Sequence, residues 1–100
     1  MNANRKLTTI IKGRTISSVE QSDQSTLDIT FGDNSKMHIK TGGQVSAPDD
    51  LKSRTISHVQ QEGNTLRLIS ADNTSIDIPL AEATSSVMLR DKDNQMEYAD

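Results

Sequence analysis

Apolar and polar residues alternate along residues 26–40. Leu27, Ile29 and Phe31 are set against Asp28 and Thr30, then Met37 and Ile39 against Lys36, His38 and Lys40. Successive side chains of a strand point to opposite faces, so this period of two predicts a pair of antiparallel strands with one apolar face. Between them, Gly32-Asp33-Asn34-Ser35 predicts a hairpin turn with Asp33 and Asn34 at its two central positions, because both residue types tolerate positive φ. The same pattern returns later as Leu66 and Leu68, a turn at Asp72-Asn73, and then Ile76, Ile78 and Leu80.

The recurrence extends beyond the apolar positions. Residues 12–40 can be laid on residues 52–80 with one residue dropped in the first turn. This aligns Lys12/Lys52, Arg14/Arg54, Thr15/Thr55, Ile16/Ile56, Val19/Val59, Leu27/Leu66, Asp33/Asp72, Asn34/Asn73 and Ile39/Ile78. Each copy opens with a short helical signal. In the first, Leu7, Ile10 and Ile11 fall at i, i+3 and i+4 before Gly13, and in the second Ala47-Pro48-Asp49-Asp50-Leu51 suits a first helical turn. Residues 14–21 and their counterparts favour an extended chain, since β-branched and hydroxylated side chains are poor helix formers. Ile16 and Val19 are three apart and would face opposite sides of a regular strand, so either a β-bulge lies between them or Ile16 packs under the helical turn while Val19 joins the sheet face; Ile56 and Val59 repeat the conflict.

These elements predict a mainly β single domain over residues 1–100. It consists of two three-stranded antiparallel meanders related by a pseudo-twofold axis, short helical turns before each, and a C-terminal hairpin over residues 86–99 around Asp91-Lys92-Asp93-Asn94. The competing arrangement is α+β, with residues 7–19 as one longer helix on the sheet. Pro79 predicts an edge position for the last strand of the second copy. The C-terminal hairpin has no counterpart in the first copy and is expected to cover an open sheet edge or to exchange between subunits. Residues 1–6 are polar and expected to fray.

Composition narrows the function classes. Apolar residues make up 32% of the 100, aromatics 2%, and tryptophan is absent, so the core must come from Ile, Leu, Val and Met and is thin. Extra burial in a homodimer is the expected remedy. A net charge of −3 argues against a dedicated nucleic-acid binder, which needs a clustered positive field, and two aromatic residues cannot build a base-stacking platform. The absence of cysteine removes disulfides, thiolate catalysis and cysteine-ligated zinc. No apolar run reaches the length of a spanning helix, and the N-terminal residues lack the apolar stretch of a secretory signal, so the expected location is the cytoplasm.

No catalytic constellation is visible. Neither His38 nor His58 has a partner at ligand spacing, no Gly-x-Ser-x-Gly elbow or phosphate-cradling loop occurs, and Asp91, Asp93 and Glu97 lack the glycine and terminal glutamate of a calcium loop. No metal or cofactor is implied, and a charged hairpin tip explains the acidic residues. The remaining candidates for ligand binding are Lys12, Arg14, Lys52 and Arg54, two basic pairs at corresponding points of the repeat, together with His58. Their alternative role is as solvated charges flanking the strands. The sequence therefore predicts a non-catalytic cytoplasmic binding or assembly module acting on a protein partner or on itself, through sheet edges or the surface between the repeats. The alternative is a small-molecule or anion binder, or a weak hydrolase, using a cleft between the repeats.

Overall fold

A computed structural model describes residues 2–45 and 48–100, so the expectations for Met1 and for Ala47 at the start of the second helical turn lie outside the described residues. In chain order the elements are β1 (Asn2–Ala3), α1 (Arg5–Ile11), β2 (Ile16–Asp23), β3 (Thr26–Phe31), β4 (Lys36–Lys40), a 3-10 turn (Pro48–Leu51), β5 (Ile56–Glu62), β6 (Thr65–Ser70), β7 (Ser75–Pro79), β8 (Val87–Arg90) and β9 (Met96–Ala99). The strands form two antiparallel sheets, one in the order β1-β5-β6-β7 and the other β2-β3-β4-β8-β9. The molecule is mainly β, with each predicted meander extended on one side. The C-terminal hairpin lies on the edge of β4, where Lys36, Met37, His38 and Ile39 pair with Arg90, Leu89, Met88 and Val87.

Residues 2–6 do not fray as expected: Asn2 and Ala3 pair with Gln61 and Gln60 of β5. The edge of β5 carries unsatisfied backbone groups that an adjacent extended segment can bond. Asn4 then caps α1, its side-chain oxygen accepting from the Leu7 amide at 3.1 Å. One turn on, Thr8 continues to protect the same edge. Its Oγ1 accepts from the Val59 amide at 2.9 Å and donates to the Val59 carbonyl at 3.3 Å. The helix ends at Ile11, and Gly13 follows with φ +88°. That excludes the longer helix over residues 7–19 weighed in the α+β alternative.

The phase conflict at Ile16 and Val19 is resolved by a bulge. The ladder slips between Ile16 and Ser18 in β2 and between Ile56 and His58 in β5, the aligned place. An extra residue in one strand turns the next side chain back to the same face, so Ile16, Ile56 and Val59 are buried and Val19 packs against the core. A second slip between Gln21 and Asp23 absorbs the residue by which the first copy is longer. The Asp-Asn turns differ from expectation in one respect. Only Asn34 (φ +69°) and Asn73 (φ +66°) are left-handed, so Asp33 and Asn34 do not share the central positions. The turn runs through Gly32-Asp33 and is closed by Asn34 N–H to the Phe31 carbonyl and Phe31 N–H to the Ser35 carbonyl. The aspartate instead caps the loop, the Asp33 carboxylate accepting from the Ser35 amide at 3.0 Å and the Asp72 carboxylate from the Thr74 amide at 3.1 Å. Asn94 (φ +66°) gives the β8–β9 hairpin the same closure.

The sheets meet at two corners. At one, Ile16 N–H donates to the Arg54 carbonyl (2.8 Å) and Ile56 N–H to the Arg14 carbonyl (2.9 Å), while the Thr15 and Thr55 hydroxyls bond each other at 2.9 Å. At the other, Gly42 N–H donates to the Pro79 carbonyl and Ala81 N–H to the Lys40 carbonyl, both at 2.9 Å. A Cβ on Gly42 would stand 2.9 Å from the Leu80 carbonyl oxygen, which is why glycine occupies this crossing. Between the corners, buried Leu7, Ile11, Leu27, Ile29, Phe31, Met37, Ile39, Leu66, Leu68, Ile78 and Leu89 form one cluster drawn from both sheets. The space between the two sheets is thus filled by apolar side chains.

Candidate functional site

The two arginines singled out by the repeat are engaged in holding the fold. Arg14 forms a two-pronged bond to Glu97, Nη1 to Oε2 and Nη2 to Oε1, each at 2.9 Å. The same Nη1 donates to Ser35 Oγ at 3.0 Å, and Nε lies 3.6 Å from Asp33. The bond to Glu97, opposed by burial, raises the guanidinium pKa, so the charge is permanent. Arg54 does the equivalent in the second copy. Its Nη1 pairs with Asp72 and its Nε donates to the Asp50 carbonyl at 3.0 Å. Each arginine therefore pairs with the turn aspartate of its own copy, and the fork of Arg14 is occupied by Glu97. Lys12 and Lys52 are exposed. The hollow at Arg54, about 380 Å³, is lined by Lys52, Thr55 and Asp72 and includes neither Lys12 nor Arg14. His58 is half-buried in the β5 bulge, its Nδ1 3.1 Å from Ser57 Oγ.

A different set of side chains is brought together on the outer face of the five-stranded sheet. Met37 and Ile39 point into the core, so Lys36, His38 and Lys40 project outward in a row. Across the ladder, His38 stands between Asp28 of β3 and Met88 of β8, and Lys36 stands between Thr30 and Arg90. The His38 ring is fixed, with Nδ1 2.6 Å from Asp28 Oδ1. A hollow of about 530 Å³ lies over this face, lined by Lys36, His38, Met88 and Arg90, by Asp28 and Asp91, and by the turn residues Asn34, Lys92 and Asn94. A second hollow of about 380 Å³ shares His38 and Met88 and runs on past Lys40 toward Ser85 and Asp100. Together they form one groove along the β4–β8 pair.

Four cations, Lys36, Lys40, Arg90 and Lys92, line the groove together with three carboxylates, Asp28, Asp91 and Asp100. The nearby carboxylates are already engaged: Asp28 by His38, Asp91 by the Asp93 and Gln95 amides, and Asp100 by the Tyr98 hydroxyl. Arg90 donates to the Asn94 carbonyl, a neutral acceptor. The basic row was present in the sequence as Lys36-x-His38-x-Lys40, but Arg90 and Met88 reach it only through the β4–β8 pairing. Likewise Asp28 becomes a partner of His38 only once β3 and β4 are in register. Among the described residues, no group of three or more His, Asp and Glu side chains is arranged to hold a metal ion, and no helix is long and apolar enough to cross a membrane. Comparison with protein-family models, with curated proteins and with solved structures gave no match.

Proposed function

We propose that this chain is a non-catalytic binding or assembly module of the cytoplasm whose working surface is the groove on the outer face of the five-stranded sheet, and whose partner is anionic. The observation that carries the proposal is the direct pairing of Lys36 with Arg90. Side chains directly opposite in an antiparallel pair have Cβ atoms about 4.5–5.5 Å apart, and like charges there are destabilising. Thr30, on the other flank of Lys36, supplies no carboxylate to offset them. Folding gains nothing from this arrangement, whereas an anionic partner would meet two cations at once. Lys92, in the turn beside Arg90, adds a third cation at the same end of the groove.

The test is binding of fluorescein-labelled polyglutamate followed by anisotropy at low and at physiological salt. Wild-type protein is expected to bind, more weakly as the Debye length shrinks to about 8 Å at 0.15 M. Lys36→Glu with Lys40→Glu is expected to abolish binding. Lys12→Glu with Lys52→Glu, outside the groove, is expected to leave it nearly unchanged. Equal loss in both double variants would remove the groove from consideration.

Self-association is a second reading, supported by β9. This strand is paired on one side only and carries Met96, 46% exposed. A monomeric mass by light scattering at micromolar concentration would eliminate the homodimer.

A further inference from the structure

The arrangement within the groove points to the kind of anion it fits. Resting on the reading above, we infer that the partner is an extended peptide segment with the pattern acidic-x-apolar-x-acidic, lying along β4. The row Lys36, His38, Lys40 has a two-residue repeat of about 6.6–6.8 Å and spans about 13 Å end to end. An extended peptide has the same repeat. Its side chains at positions 1, 3 and 5 therefore fall in phase with the row, while those at 2 and 4 point to solvent.

The three stations along the groove differ in chemistry. At one end Lys36 is joined by Arg90 across the ladder and by Lys92 of the neighbouring turn, a station for a carboxylate. At the other end Lys40 lies beside Ser86, its backbone N–H donating to the Ser86 carbonyl at 2.7 Å, and faces Thr26 on its other flank. That makes a second cationic station, with Asp100 lining the same hollow. The middle is different. His38 is paired with Asp28, which offsets any charge on the ring, and its ladder neighbour on the other side is the half-buried Met88. A thioether floor beside an imidazole already bonded to a carboxylate favours an apolar side chain, since methionine adapts its shape to what lies on it. An acidic residue placed there would meet Asp28.

Other polyanions fit less well. Single-stranded nucleic acid is held by aromatic stacking within a basic groove, and the aromatic residues, Phe31 and Tyr98, are both buried. A helix is about 10–12 Å across, and its carboxylates at i and i+4 precess away from a straight row.

The experiment uses the full chain and acetylated, fluorescein-labelled ten-residue peptides centred on Glu-Ser-Leu-Ser-Glu, Glu-Ser-Ser-Ser-Glu and the scramble Glu-Glu-Ser-Leu-Ser, with a single-stranded oligonucleotide of matched charge. The first peptide is expected to bind at least tenfold more tightly than the scramble and severalfold more tightly than the second. Lys36→Glu or Lys40→Glu should each weaken it about tenfold. Met88→Ser should erase the preference for leucine while sparing the affinity for Glu-Ser-Ser-Ser-Glu, and circular dichroism of each variant verifies that it folds. Equal affinity for the pattern and the scramble overturns the inference while leaving the anionic groove standing. Tighter binding of the oligonucleotide overturns it as well. Failure of every anion, polyglutamate included, overturns both readings together.

Discussion

Ser53 holds a backbone conformation that its aligned counterpart reaches with glycine. Its φ is +69°, against +88° for Gly13, and both residues follow a short helical turn and precede an arginine. The left-handed region costs an ordinary L-residue roughly 1–2 kcal/mol, partly returned because a non-glycine residue loses less freedom on folding. Ser53→Gly is therefore expected to raise stability by up to about 1 kcal/mol, and Gly13→Ser to lower it by a similar amount. A Cβ on Gly13 would touch nothing within 4 Å, so the loss there is conformational alone. Chemical denaturation of both variants checks this, and an unchanged or lower midpoint for Ser53→Gly would refute it. At this scale the sequence was readable where a residue's reason is local, as with the glycine after α1 or the asparagine in each turn. It was silent where the reason is remote. Glu97 lies 83 residues from Arg14, and nothing near either residue announces the pair. The repeat drew attention to Arg14 and Arg54 as ligand candidates, while their bonds to Asp33 and Asp72 supply a folding reason for keeping both.

At the level of elements, the like-charge pair between β4 and β8 makes stability and binding pull in opposite directions. Replacing Lys36 by glutamate puts a carboxylate opposite Arg90 and turns a repulsive cross-strand pair into an attractive one. Such pairs are worth about 0.2–1 kcal/mol, which in a domain of this length is a rise of a few degrees in melting temperature. Lys36→Glu should therefore melt higher than wild type while losing affinity for anions. Differential scanning calorimetry at low salt, where screening is weakest, is the appropriate measurement. A lower melting temperature would mean that Lys36 contributes to the fold in a way the register does not explain. Most of the elements were legible in advance: both helical turns, the alternating strands and the C-terminal hairpin follow from local pattern, and the bulge was one of two resolutions of the conflict between Ile16 and Val19. The candidate groove was not. It needs β8 to dock beside β4 with Arg90 opposite Lys36, and that register is set by the burial of Val87 and Leu89 against the core rather than by any signal around residues 36–40.

The behaviour of the whole molecule in acid follows from where its turns place carboxylates. Asp33 and Asp72 each sit below the usual 3.8, chiefly through the hydroxyls of Ser35 and Ser70 and then through backbone amides. Asp23 is lowered chiefly by the Ser25 hydroxyl and amide, and Asp77 by its two-pronged bond to Arg67. In every case the folded state favours the ionised form. The unfolded chain therefore binds more protons in acid, and stability falls with falling pH. The contribution of these groups is complete above about pH 5, begins to be lost as the pH drops through 3.8, and continues to fall through the lower values held in the folded protein. The urea midpoint is expected to be flat between pH 7 and pH 5 and to drop steeply by pH 3. In Asp72→Asn it should start lower at pH 7 and fall less, since one of the titrating carboxylates is gone. If the wild-type midpoint at pH 3 equalled that at pH 7, the turn aspartates would contribute nothing to the stability of the folded state.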